Sequence, residues 1–154
     1  MPTDDGPGQP NAPLPSPLAP FARYLPFRWS GNHIYVSGQV AALEGEFIHR
    51  GRLGAELSLE DGQACARQCA LNVLALLEQE LGDLASVKEI TKVTAFVAST
   101  HDFVEQHIVA NGASSAFIEY LGDRGEHSRS VIGVPSLPMN SPVEVEAIVL
   151  VDRE

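Results

Sequence analysis

The final strand-like run of the chain constrains the fold more than any other feature. In Val143-Glu-Val-Glu-Ala-Ile-Val-Leu-Val151, the residues Val143, Val145, Ala147, Val149 and Val151 share one face, while Glu144, Glu146, Ile148 and Leu150 share the other, because successive strand side chains point to opposite sides. Both faces are substantially apolar. Helices of the same chain can cover one of them, and the sequence offers two helices. Two helices cover one side of a five- or six-stranded sheet, so the far side asks for burial against something the chain does not itself supply. Self-association, sheet face to sheet face, is the economical answer.

The other elements follow from periodicity and punctuation. Ser58-Leu-Glu-Asp61 has the Ser-x-x-acid form of a helix cap, and Ala66, Ala70, Val73, Leu74, Leu77 and Leu81 then recur at helical spacing until Gly82. A second helix is expected from near Asp102, loosened around Asn111-Gly112 and continuing through Ala113, Phe117, Tyr120 and Leu121. Residues 91–98 read as a strand buried on both faces, with Val93, Ala95 and Val97 pointing one way and Phe96 and Ala98 the other. Upstream, His33-Ile-Tyr-Val-Ser-Gly-Gln-Val40 forms a hairpin with Phe27-Arg-Trp29 across Ser30-Gly31-Asn32. After Glu44-Gly45-Glu46, residues 47–53 are expected to add a short third strand, and residues 128–134 and 143–151 supply the last two. The fold class is α/β (α+β): a single domain with a mixed sheet of five to six strands and two helices on one face.

A length of 154 residues fits one domain. Residues 1–20 hold seven of the eleven prolines, two leucines and, as their only charges, Asp4 and Asp5. That is too little apolar surface to offset ordering entropy, so a flexible leader is expected ahead of a domain over residues 21–154. The formal charge of −10 repels phosphate backbones and argues against general nucleic-acid binding. No run approaches the ~18 consecutive apolar residues that span a bilayer, and Met-Pro-Thr-Asp-Asp lacks the basic-then-apolar order of a secretion signal. A cytoplasmic protein without a membrane partner is expected. Cys65 and Cys69, four apart on the first helix, read as small buried hydrophobes.

Familiar catalytic signatures are missing. Ser37 lacks the glycine two residues earlier that a hydrolase elbow requires. No phosphate-cradling glycine loop points to a nucleotide cofactor. His33, His49, His101, His107 and His127 form no metal-ligand pattern and read as surface or loop histidines. What remains is a charged residue set into each of the last two strands, Arg129 in Ser128-Arg-Ser-Val-Ile-Gly-Val134 and Glu144 in Pro142-Val-Glu-Val-Glu-Ala147. Either Arg129 marks a solvated strand start and Glu144 an oligomer rim, or neighbouring antiparallel strands bring them to one cleft. There, an arginine fork would hold a carboxylate and a glutamate would orient or deprotonate a water.

Tyr24, Val36-Ser37-Gly38-Gln39, Gly51-x-x-Gly54, Ala70-x-Asn72, Asn111, Arg129-Ser130 and Val143-Glu-Val-Glu-Ala-Ile148 together, in order and spacing, resemble the reactive intermediate deaminase family, RidA or YjgF-like, also labelled endoribonuclease L-PSP. The resemblance extends from about Tyr24 to Val151. It implies a chorismate-mutase-like fold, a homotrimer with ligand sites between subunits, no cofactor or metal, and hydrolysis of 2-imino or 2-enamino acids to 2-keto acids and ammonia. It further implies that Arg129 grips the substrate carboxylate and Glu144 places the hydrolytic water. Tyr24, Ser37 and Asn111 match positions that shape the pocket, and Gly38 lies where backbone approaches the ligand. Such chemistry adds water to a carbon that is already electrophilic, so positioning can suffice. The alternative is a non-catalytic trimer that captures carboxylate metabolites in the same cleft. A ribonuclease follows only from the family label and sits badly with the acidic charge. Val131, where many members have cysteine, the longer segment between Phe103 and Asn111, and the extra Pro-rich leader point to a distinct branch.

Overall fold

The computed structural model describes residues 12–153. Helix α1 (Leu59–Leu81) opens on the expected cap: Ser58 Oγ accepts the Asp61 N–H and the Asp61 carboxylate accepts the Ser58 N–H, each at 3.1 Å. Its buried stripe includes Cys65, Ala66, Cys69, Ala70, Val73, Leu74 and Leu77, so both cysteines are core residues. Burial pushes the Cys65 thiol up to about 12. Helix α2 (Gln106–Leu121) packs on α1 and runs unbroken through Asn111-Gly112. Gly112 is there for contact: a side chain at this position would collide with the Gln63 carbonyl of α1, so the helices meet backbone to backbone. The helix starts at Gln106, four residues after the expected Asp102. Asp102 instead accepts the Thr100 hydroxyl at 2.8 Å, and the Phe103 N–H closes a turn on Thr100 O.

Strands β1 (Phe27–Ser30), β2 (His33–Val40), β5 (Val87–Ala98), β6 (Ser128–Val134) and β7 (Val143–Val151) form one sheet in the order β1-β2-β7-β5-β6. The β1–β2 hairpin turns at Gly31, whose φ of +57° suits glycine. All pairings are antiparallel except β5–β6, which the α2 crossover makes parallel. Residues 47–53 do not form the expected third strand. Instead β3 (Ala42–Leu43) and β4 (Glu46–Phe47) make a separate two-stranded ribbon around Glu44-Gly45, both at positive φ. Leu53 is fully buried and bridges to Ser99, so its apolar character serves as an anchor within irregular chain.

Both helices lie on one side of the sheet, over Ile34, Val36, Val93, Ala95, Val97 and the odd-numbered valines of β7. The other side carries Tyr35, 47% exposed, and Ile132, 45% exposed, beside Phe96, Ile148 and Leu150. This open apolar face is the one the β7 pattern predicts. Among the described residues no helix is long and apolar enough to cross a membrane. Of the expected leader, residues 1–11 lie outside the described residues. Residues 12–20 have no regular structure, yet Tyr120 donates its hydroxyl to Ala12 O at 3.0 Å and Leu14 packs against the core.

Candidate active site

One half of the site is organised by a β-bulge. Val36 pairs with Ala147 and Gln39 with Val145, so Ser37 and Gly38 together oppose the single residue Glu146. Gly38 leaves room for the half-buried Glu144 side chain, since any Cβ there would collide with Glu144 Oε1. The bulge is held from both sides. Asn72 of α1 donates Nδ2 to Val40 O (3.0 Å) and Ala42 O (2.8 Å), and Ser37 Oγ donates to Leu25 O at 2.6 Å. The Ser37 N–H donates to Pro26 O at 2.9 Å, so the segment carrying Tyr24 is pinned over the bulge. Tyr24, Ser37, Gly38 and Glu144 thus line one cleft of about 500 Å³. Burial raises the Glu144 carboxyl above its ordinary 4.5, and the negative charge of Glu146 adds to the rise. A carboxylate raised in this way is a better proton acceptor near neutral pH.

The other half surrounds Arg129, whose side chain lies along α2. Its Nη1 donates to Asn111 Oδ1 and Ser114 Oγ, both at 3.0 Å, and its Nη2 donates to His107 O at 3.1 Å. Among the described residues, the Nε–H and one Nη2–H are left over. Two N–H donors of the planar guanidinium therefore remain for a ligand, and a carboxylate is the anion such donors pair with well. A relay stands behind this fork. His127 Nδ1 is 2.6 Å from Gly125 O, which can only accept, so Nδ1 carries the proton. Nε2 is then the acceptor for the Ser114 hydroxyl at 2.8 Å, leaving Ser114 Oγ to accept from Arg129. Burial holds the His127 imidazole below its ordinary 6.5 against the opposing bond to Gly125 O, and the Arg129 charge pushes the same way as burial. The ring is therefore neutral at pH 7, as the relay requires.

The two halves do not meet within one chain. The expectation that neighbouring antiparallel strands carry Arg129 and Glu144 is corrected by the topology, because β5 lies between β6 and β7 and runs parallel to β6. Arg129 is in register with Val93 and Ala147, whereas Glu144 is in register with Phe96. Two strand spacings across and three residues along separate the backbones by roughly 14 Å. The side chains also point to opposite faces: Val93 and Ala147 face the helices, and Glu144 alternates with the buried Val143 and Val145. Asn111 thus joins Arg129, and Tyr24, Ser37 and Gly38 join Glu144. Sequence reasoning missed Ser114 and His127. His127 stands in the loop before β6, as expected of a histidine without metal spacing, but it is half-buried there with two polar partners.

Over nearly its whole length the chain is similar to known proteins of one family. The family model for YjgF/chorismate mutase-like proteins, which carries the endoribonuclease label, matches residues 11–150. The chain belongs to the RidA/YjgF family. Among relatives of this YjgF-family chain, protein TCP17 of Trypanosoma cruzi is 42% identical over 137 residues, 88% of this chain and 86% of that one. The 2-iminobutanoate/2-iminopropanoate deaminase of Dermatophagoides farinae is 25% identical over 138 residues, 90% of this chain and 91% of that protein. The crystal structure of Atu1372 from Agrobacterium tumefaciens, a protein of unknown function, matches at 42% identity with a TM-score of 0.83, covering 86% of this chain and 85% of that one. The YjgF assignment agrees with the two helices on one face of the mixed five-stranded sheet and with the small second sheet.

Proposed function

We propose that this YjgF-family chain is a cytoplasmic deaminase that hydrolyses 2-imino or 2-enamino acids to 2-keto acids and ammonia, in clefts completed between the copies of a homotrimer. The two free N–H groups of Arg129 carry the proposal: a carboxylate receptor held by three bonds to α2, beside which His127 is already engaged with Ser114 and the Gly125 carbonyl. The complementary half, with Glu144, opens on the other side of the sheet, so only a second copy can bring the two together. The exposed apolar sheet face supplies the surface through which copies would pack. The deaminase relative adds weight to this choice of chemistry.

In the completed cleft Arg129 holds the substrate carboxylate and so fixes the adjacent imine carbon. Glu144 accepts a proton from water as its oxygen adds to that carbon. The imine nitrogen, protonated before addition, becomes the NH2 group of a neutral carbinolamine; it takes the proton held by Glu144, the C–N bond breaks with its electron pair leaving on nitrogen as ammonia, and the hydroxyl proton is released to solvent as the C=O forms. Tyr24, Ser37 and Gly38 wall the water side, while Asn111 holds the fork. The endoribonuclease label is not carried over to this chain. A net charge of −10, with Glu144 and Glu146 both lining the cleft, repels phosphodiesters.

Subunit complementation tests the arrangement. Arg129→Ala and Glu144→Gln proteins are each expected to release little ammonia from fresh 2-iminobutanoate. After unfolding and refolding together, roughly a quarter of the sites should combine an intact Arg129 from one copy with an intact Glu144 from another, and activity should return in proportion. If the mixture stays as inactive as its parts, the shared cleft is wrong. If imines are left untouched while 2-keto acids still bind at Arg129, the carboxylate-capture alternative replaces the deaminase.

The relay makes a separate prediction. Ser114→Ala removes the middle of the Arg129–Ser114–His127 chain and is expected to weaken 2-oxobutanoate binding about tenfold, the worth of one hydrogen bond to a charged group. Ser114→Thr, which keeps the hydroxyl, should restore it. Calorimetry showing equal affinity for wild type and Ser114→Ala would remove the relay from the binding account.

A further inference from the structure

We infer that the substrates of this enzyme carry bulky apolar side chains, received by a wall that residues 18–21 and Met139 build around Glu144. The inference rests on the deaminase reading and sharpens it. Leu18, Pro20, Phe21, Pro138 and Met139 all line the Glu144 cleft. Among the described residues no lysine, arginine or histidine lines it, and Glu146 adds a second negative charge. A substrate carbon close enough to receive water from Glu144 therefore presents its side chain to hydrocarbon. An acidic side chain would be repelled by Glu146, and a polar one set against Leu18, Pro20, Phe21, Pro138 and Met139 would lose water without gaining partners from those residues.

The wall is anchored to the domain. The Tyr120 hydroxyl holds Ala12 O at 3.0 Å and Leu14 packs into the core, which fixes the start of the segment. The Phe21 ring lies 6.3 Å from that of Phe47, which in turn carries the Arg50 guanidinium 4.7 Å above it. The segment closes on itself where the Tyr24 N–H donates to Ala22 O at 3.1 Å. Met139 and Asn140 adopt φ of +58° and +62°, a left-handed conformation uncommon for residues with side chains, and the Gly51 N–H secures the turn by donating to Asn140 O at 3.1 Å. Phe21 is 47% exposed and Met139 is 41% exposed. Two large apolar side chains left half in water in the cleft of a half-buried carboxylate have apolar surface for a ligand to cover. A substrate with a methyl side chain would leave most of that surface wet.

The test compares kcat/KM on freshly generated 2-imino-4-methylpentanoate and 2-iminopropanoate, for the full chain and for Phe21→Ala and Met139→Ala. The half-exposed positions of these residues allow folding, which melting curves would check. The wild type should favour the longer substrate by about tenfold or more, and each variant should cut that ratio by about fourfold, the effect of roughly one buried methylene. Hydrolysis of both imines with no preference, or with a preference for the shorter, overturns the wall while leaving the deaminase standing. A preference that survives in both variants equally overturns it. Failure to hydrolyse any imine removes the deaminase reading and this inference together.

Discussion

Arg129→Ala is expected to lower kcat/KM for 2-imino acids by roughly 10²–10⁴-fold. The two N–H groups left free on the guanidinium each make a charge-assisted bond to the substrate, worth about 1.5–3 kcal/mol, and ~1.4 kcal/mol corresponds to a factor of ten. The carboxylate is present before, during and after water addition, so its grip is nearly uniform along the reaction. The loss should therefore fall mainly on KM and only weakly on kcat. Arg129→Lys keeps the charge but cannot engage both carboxylate oxygens in plane or retain all three contacts to Asn111, Ser114 and His107, and should recover only part of the loss. Steady-state kinetics with alanine and wild-type proteins equal in kcat/KM would overturn the role given to Arg129.

Glu144→Gln is expected to abolish most turnover, by about 10²–10⁴-fold in kcat, while raising the melting temperature. Both effects come from one cause. Burial, reinforced by Glu146, holds the Glu144 carboxyl above 4.5 in the folded chain, so ionisation is disfavoured by folding. The stabilising contribution of its protonated form is complete below the unfolded value of about 4.5 and is lost as pH rises through the raised folded value, leaving a penalty at neutral pH. Glutamine has no charge to bury and escapes that penalty. The reaction, in contrast, needs the ionised form. The acid limb of the kcat profile, which reports the substrate-bound cleft, should accordingly lie above the usual carboxylate range, with activity falling as pH drops through it. Arg129 of a second copy does not reverse the direction, since the substrate's own carboxylate matches its charge. A profile flat from about pH 5 to 8, or Glu144→Gln that retains wild-type kcat, would exclude Glu144 as the base.

Local signals carried the parts of the fold that local physics controls. The Ser58–Asp61 cap, the α1 stripe and the Gly31 hairpin are short-range hydrogen-bond and steric requirements, and each stands where the sequence placed it. The two misplaced boundaries have equally local reasons that a propensity reading underweights. Asp102 spends its carboxylate on a turn, and Leu53 is an apolar anchor without a strand around it. The Ser37-Gly38 bulge was less legible, because a bulge is defined by the partner strand and the residues themselves read as continuous β. The Ser114–His127 relay was not legible at all. A serine in the middle of a helix and a histidine before a strand carry no shared spacing until the crossover brings them to 2.8 Å.

That one face of β7 is covered and the other left open follows from the residues alone, since strand alternation assigns each side chain to a face without reference to any partner. The residues also mark Arg129 and Glu144 as charges out of place in strands. That these two lie on opposite faces with β5 between them emerges from the folded chain. Strand order comes from how distant segments pair and from the crossover that α2 imposes, and neither leaves a periodic mark in the residues.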